Sequence, residues 1–232
     1  HYKPNEHWTV NLAAGRYNKY QLPQEEQNPY LIKSNQYSLD ISWMQSQSEN
    51  SLSVFYKTNF INGTETNIKG IELFTRHRIN NNIRFQLSLT SLEAISTRDQ
   101  VKQPSPYNIH YFLRGNIEYK IQGTWTITTV FLFRQGSFYR PVTSAEYNSS
   151  VDVFEPTYSS SLERLPSYNT IDLSISKIFP LTEKSTAIAF LSVGNLMDFK
   201  NVRDYTYNFD YTQRREHLFS QRTVYFGLII NF

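Results

Sequence analysis

The stretch Arg222–Phe232, RTVYFGLIINF, decides how the rest of the chain reads. Val224, Phe226, Leu228, Ile230 and Phe232 share one face at a spacing of two, and Thr223, Tyr225, Gly227, Ile229 and Asn231 share the other. This is a strand with one strongly apolar face. A soluble sheet buries such a row against a core. A transmembrane barrel turns it to lipid and pairs its last strand with its first to close the sheet. By itself the stretch fits both an edge strand on a core and a barrel strand; the remaining residues separate the two.

Composition narrows the choice. The chain has 232 residues, enough for one domain or two small ones. It has no cysteine, which excludes a disulfide framework, a thiolate metal site and a cysteine nucleophile. No run approaches the ~20 apolar residues of a membrane helix. Yet 17 Tyr and 16 Phe sit in a largely polar sequence, a balance that suits a polar lumen, an apolar belt and aromatic girdles. A secreted β-sandwich also favours Tyr, Thr and Ser. The net charge of +3 comes from 23 basic and 20 acidic residues, too balanced to imply nucleic acid.

Alternation predicts ten strands: Trp8–Tyr20, Ser34–Gln45, Ser51–Thr58, Ile68–Ile79, Ile83–Leu92, Tyr107–Lys120, Thr124–Gln135, Tyr168–Ile178, Thr186–Asn195 and the terminal strand. The sixth is the clearest. Ile109, Tyr111, Leu113, Gly115, Ile117 and Tyr119 alternate with His110, Phe112, Arg114, Asn116, Glu118 and Lys120. It therefore predicts His110, Arg114 and Glu118 on the lumen side. The connections Ser46–Asn50, Asn80–Asn82, Ile121–Gly123 and Phe179–Ser185 are short. Gln21–Lys33, Asn59–Asn67, Glu93–Pro106, Gly136–Ser167 and Leu196–Gln221 are long. Short and long alternate strictly, as an up-and-down barrel with tight turns at one rim and large loops at the other requires. The expected fold is all-β, an antiparallel transmembrane β-barrel portion of about ten strands over residues 1–232. Val142–Glu163 reads as an irregular surface loop.

Signals of chemistry are sparse. No histidine pair has metal-ligand spacing, and Asp198, Asp204, Asp210 and Glu216 lie too far apart for a calcium loop. His217 with Asp204 and Asp210 is the nearest approach to an acid–base cluster, and its spacing is unspecific. The expectation is no enzyme, no metal and no cofactor. The two longest loops are richer. One carries Tyr139, Arg140, Tyr147, Phe154 and Tyr158; the other carries Tyr205, Tyr207, Phe209, Tyr211, Arg214 and Arg215. Tyr offers a flat apolar face with a hydroxyl, and Arg a planar donor fork. These eleven are the candidate ligand contacts. The competing reading is an interfacial girdle or loop-on-loop packing.

Five stretches, in order, carry a resemblance: NIKGIELFTRHRI (Asn67–Ile79), FRQGSFYRPV (Phe133–Val142), RLPSYNTIDLSISKIF (Arg164–Phe179), FLSVGNLMDFKNVRDYTYNFDY (Phe190–Tyr211) and the terminal strand. They resemble the C-terminal barrel strands of TonB-dependent outer-membrane receptors, particularly those of the Bacteroidota type. The resemblance implies an outer-membrane location and energy-coupled uptake of a large nutrient: a siderophore, a cobalamin, an oligosaccharide or a peptide. It further implies a barrel of about 22 strands around a plug. Ten strands are then part of such a barrel, with the remaining strands and the plug in the same or another chain. The implied partners are outer-membrane lipid, TonB through the plug, and a surface lipoprotein. Tyr225, Phe226 and Phe232 would form the signal for barrel assembly. A structural barrel that docks surface lipoproteins or secretion components, and a self-contained ten-stranded enzyme or pore, are the alternatives.

Overall fold

The structure is a computed structural model that describes residues 2–5, 8–20, 32–45, 47–61, 63–106, 108–183, 185–219 and 221–231. Ten long strands carry it: β2 (Trp8–Tyr20), β3 (Ile32–Gln45), β4 (Ser48–Ile61), β5 (Thr64–Arg78), β6 (Ile83–Arg98), β8 (Ile109–Ile121), β9 (Trp125–Arg134), β14 (Tyr168–Pro180), β15 (Thr186–Gly194) and β18 (Thr223–Asn231). Each pairs antiparallel with its neighbour in that order. β1 (Tyr2–Asn5) extends one edge along β2, and β7 (Val101–Pro104) folds back on β6. Three small pairs rise from the connections: β10 (Phe138–Tyr139) with β13 (Glu163–Arg164), β11 (Val142–Asn148) with β12 (Val153–Tyr158), and β16 (Val202–Tyr207) with β17 (Arg214–Leu218). The ten predicted strands are these ten. Among the described residues, β1 and β18 are the free edges of the sheet.

Continuous register sorts the side chains into rows. Leu12, Ile41, Leu52, Leu73, Leu89 and Leu113 are successive cross-strand partners on one face. On the other face Asn11, Ser42, Ser51, Phe74, Ser88 and Arg114 are partners in the same way. The polar face is the concave one, because the hollows along the sheet are lined from it by Ser88, Arg114, Asn116, Thr128, Ser174 and Ser192.

Almost nothing is buried. Among the described residues the buried apolar side chains are Ala94, Ala187 and Val202. The surface is 16224 Å², against ~11,000 Å² for a compact soluble chain of this mass. Leu12 is 70% exposed and Phe226 85%. An apolar row left open on this scale needs an apolar medium, since each methylene in water forgoes about 0.8 kcal/mol. The fold is a transmembrane barrel wall with its apolar belt outward. On β18, Val224, Phe226, Leu228 and Ile230 join that belt, while Tyr225 pairs with Ser192 on the concave side. Phe232, the third member of the expected assembly signal, lies outside the described residues.

Bulky rings on this sheet are accommodated by glycines directly across from them. Phe55 faces Gly70, Phe131 faces Gly115 and Phe190 faces Gly227. A Cβ at Gly115 would collide with the Phe131 ring and with the Gln86 carbonyl. The glycine of the NIKGIEL stretch is thus the socket of Phe55, a packing device of the kind that pins register.

Three expectations are corrected. The connection 59–67 is not a long loop: β4 and β5 run on to Ile61 and Thr64 and close in a tight turn at Gly63, whose φ is +73°. β6 is likewise 16 residues long. At about 3.3 Å per residue such strands outrun a tilted crossing and project beyond the membrane. Val142–Glu163 is not irregular. It contains the β11–β12 hairpin, whose turn is set by Asn148 Oδ1 accepting from Ser150 N and by Asp152 at φ 54°. Scattered acids and Pro156 hide its strand pattern. Finally, β8 carries a register shift between the partners of Thr90 and Leu92. Ile109, not His110, pairs with Leu92 of the concave side. His110 therefore leaves the row that Arg114 and Glu118 occupy. Arg114 and Glu118 stay on the concave side, paired with Ser88 and Arg84.

The two faces make a direct test. Leu89→Arg should lower unfolding stability by roughly 2–4 kcal/mol, because it places a charge in the belt, whereas Thr90→Arg next to it should cost under about 1 kcal/mol. Heat-modifiable gel mobility over a temperature series measures both; equal losses would mean the faces are misassigned.

Candidate functional site

The rim opposite the short turns carries two large structures, the β9–β14 connection with β10 to β13 and the β15–β18 connection with β16 and β17. Their bases are tied by buried polar groups. Gly136 packs so closely on the Leu165 and Pro166 backbone that no Cβ would fit. The Arg164 side chain lies over the Phe138 ring at 3.8 Å and donates to the carbonyls of Asn108 and Gly136, both at 3.0 Å. Burial lowers its pKa. Asp172 accepts from Asn195 N at 2.7 Å. Asn195 bonds Phe199 through both its amide oxygen and nitrogen. Asn201, 2% exposed, brackets Asn169 by accepting from its N–H and donating to its carbonyl. The residues that carry the sequence resemblance at this rim are therefore largely the ties that anchor the loops.

Above these ties the two hairpins lean together through rings. Tyr139 packs on Tyr205 with centroids 4.9 Å apart, Phe154 meets Phe209 edge-on at 5.5 Å, and Tyr147 packs on Phe154 at 5.2 Å. Between them lies a recess of about 840 Å³. Of the eleven candidates, Tyr139, Arg140, Phe154, Tyr158, Tyr205, Tyr207, Phe209 and Tyr211 line it. Tyr147 flanks it through Phe154. Arg214 lies over the Tyr205 ring at 4.0 Å and reaches the Tyr139 hydroxyl at 3.3 Å. Arg215 is exposed on β17 opposite Thr206 and does not line the recess. Phe138 and Arg203, conspicuous in the same two loops, also line it, and the sequence reading missed Ser137, Val153, Leu165, Asp204, Thr206 and Asn208. Arg203, Tyr205 and Tyr207 alternate on β16 and reach the recess together.

The arginines at the recess are already engaged. Arg140 donates to the Ser159 and Ser160 carbonyls and to Gln103. Arg203 donates to Asp204 at 3.0 Å and contacts His217 Nδ1 at 2.9 Å. The Arg203 hydrogen bond holds the Asp204 carboxyl below its ordinary value. His217 Nδ1 lies 3.0 Å from Asp204, so the structure does bring these two together. Asp210 is elsewhere, accepting from Thr212. Arg203, Asp204 and His217 together clasp the β16–β17 hairpin. Tyr139 donates to Glu163, and burial first, then that bond, raises its pKa. No group of three or more potential metal ligands occurs among the described residues.

The Arg164 tie predicts a local effect. Arg164→Ala leaves the Asn108 and Gly136 carbonyls without their donor, at about 1–3 kcal/mol for each carbonyl that stays buried. Limited proteolysis should then cut within 136–167 while the ten-stranded sheet stays intact; unchanged protease resistance would show that the tie is dispensable.

No family model and no curated protein sequence matches the chain. Solved structures match in fold. The ferric yersiniabactin uptake receptor FyuA from Yersinia pestis aligns over 100% of this chain and 36% of its own, with a TM-score of 0.63 and 16% identity. The ferripyoverdine receptor of the outer membrane of Pseudomonas aeruginosa aligns over 98% and 31%, at 0.59 and 16%. The FrpB iron transporter from Neisseria meningitidis aligns over 98% and 37%, at 0.58 and 13%. The chain thus spans about a third of the length of these proteins. Its fold is that of a stretch of outer-membrane receptor barrel wall.

Proposed function

We propose that residues 1–232 are a single barrel portion, the C-terminal strands of a TonB-dependent outer-membrane receptor, and that its outer hairpins capture a large nutrient. The observation that carries this reading is the aromatic recess between two hairpins tied to the end of an apolar-belted barrel wall. The five motif stretches support the Bacteroidota type. The remaining strands of a 22-stranded barrel and a plug come from the same or another chain, TonB acts through that plug, and a surface lipoprotein fits the outer rim. Outer-membrane lipid covers the belt. The role is uptake without catalysis and without a cofactor.

The lining also bears on the ligand. The arginines around the recess already hold carbonyl, carboxylate or aromatic partners. What remains open is mostly Tyr and Phe surface, because the Asn208 amide beside it is itself held by Thr212 and Gln213. Flat apolar faces with hydroxyls suit a neutral, hydroxyl- or amide-bearing ligand better than a polyanion. Among the four nutrient classes this favours an oligosaccharide or a peptide over an anionic chelate. Tyr205→Ala and Phe209→Ala each remove one wall of the recess. Each should weaken ligand binding to whole cells about tenfold or more while barrel assembly stays normal. Growth on candidate nutrients, with surface binding measured in parallel, tests this; full uptake by both variants would remove the recess from the pathway.

Tyr225, Phe226 and Phe232 serve as the assembly signal in this reading. Deleting Phe232 should lower the amount of protein inserted in the outer membrane, and normal insertion of the truncated protein would count against the signal.

A further inference from the structure

β16 stands at the outer recess with one edge unpaired. It pairs with β17 and with no other strand among the described residues. Arg203, Asp204, Tyr205, Thr206 and Tyr207 all line the recess, and no residue of β17 does. A strand that turns one face to a cavity contributes alternate residues. Five in succession mean that the cavity runs along the open edge of β16. The Asn208 N–H donates to the Gln213 carbonyl at 3.1 Å, which makes these two a hydrogen-bonded pair at the tip of the hairpin. Such pairs alternate along an antiparallel ladder. Thr206 and Arg215 are therefore bonded in the same way, and Tyr205–Glu216 and Tyr207–Arg214 are the pairs in between. The N–H and carbonyl groups of Tyr205 and Tyr207 point away from β17, toward the recess, where no described residue bonds them. The hairpin across the recess differs. β12 carries Pro156 within its pairing to β11, and a proline there turns its missing N–H to the open edge.

We infer that the open edge of β16 binds an extended peptide as an added strand and reads its main chain. Three features favour that occupant. The unbonded groups of Tyr205 and Tyr207 repeat at the two-residue spacing of an extended backbone, which supplies the matching carbonyls and N–H groups. An oligosaccharide has no such repeat. β16 is six residues long, about 20 Å, enough to seat a peptide of similar length. Tyr205 and Tyr207 also share one face of the strand, and the Tyr139 ring extends that face by packing on Tyr205. Alternate side chains of an added strand would lie against this row of rings, so apolar or aromatic residues at every second position are preferred. Main chain and rings thus do the selecting, while the arginines stay with their own hairpins. The inference rests on the outer hairpins being the capture site, as proposed above, and takes the peptide from among the nutrient classes.

The test uses the full-length protein in outer-membrane vesicles and a pool of acetylated, amidated hexapeptides of random sequence. The parent protein should retain part of this pool. It should not retain the same pool methylated on every amide nitrogen, which has lost its main-chain donors. Tyr207→Ala removes a ring and keeps the N–H, whereas Tyr207→Pro removes both, at a φ that an edge strand allows. Peptide binding should fall at least about tenfold further in Tyr207→Pro than in Tyr207→Ala. Equal losses in the two variants, or equal retention of the methylated pool, would overturn the inference. So would a parent protein that retains no peptide. If it retains maltohexaose instead, the outer hairpins still capture a ligand and only the added strand falls. If it retains neither and is a dimer that Tyr207→Pro splits, the edge takes a second copy, and the inference falls as well. Should Tyr207→Pro not assemble, the methylated pool decides on the unchanged protein. Full uptake by Tyr205→Ala and Phe209→Ala would instead remove the capture site itself.

Discussion

Everything in this structure depends on one antiparallel ladder of ten long strands. In lipid a backbone N–H or carbonyl has no water to turn to, so each strand must satisfy its neighbour. Because side chains alternate with a period of two, that ladder also decides which residues meet lipid. A one-residue slip would move an entire apolar row to the wrong side. The row from Leu12 to Leu113 crosses six strands without a slip. The aromatic–glycine pairs across β4–β5, β8–β9 and β15–β18 oppose slippage, because each ring fits only where its neighbour lacks a side chain. Where the register does shift, at the start of β8, the consequence is visible in His110, which leaves the side that Arg114 and Glu118 occupy.

The outer rim solves a different problem. Loops of about thirty residues must stand on strand ends without a core beneath them. They do so on a few polar ties. Arg164 fastens β13 to the carbonyls at the bases of two strands, and Asn195 and Asn201 fold the start of the last long connection against β14. These ties are wholly or partly buried, and the aromatic residues stand further out, packed on one another across the hairpins. Tyr207, Tyr211 and Phe209 still leave ring faces open to the recess. The engagement of Arg140, Arg203 and Arg214 by their own hairpins follows from the same economy. A guanidinium next to open carbonyls satisfies them first, and what remains for a ligand is mostly ring and hydroxyl.

The concave wall shows how a polar face is more than the complement of an apolar one. Lumen positions have no belt to maintain, so their charges can be distributed freely. Here cations gather on β5, β6 and β8 near the short turns, and carboxylates lie in the adjoining row. Exposed pairs of this kind contribute little to stability.

The sequence by itself determined the class of fold, the ten long strands and the sorting of most residues between belt and lumen. It could do so because period two is a local property, readable in ten residues of one strand. It also carried eight of the residues that line the outer recess, since Tyr- and Phe-rich loops are conspicuous in a chain of this composition. What only the tertiary structure decided were relations between distant strands. The shift that displaces His110 arises in pairing with β6. The extension of β4 and β5 past the membrane depends on each continuing to bond the other. The exclusion of Asp210 from the His217–Asp204 contact, and the inclusion of Arg203 in it, follow from the register of β16 on β17. Cross-strand neighbours are set by hydrogen bonds between segments far apart in the chain, and no spacing within one segment encodes them.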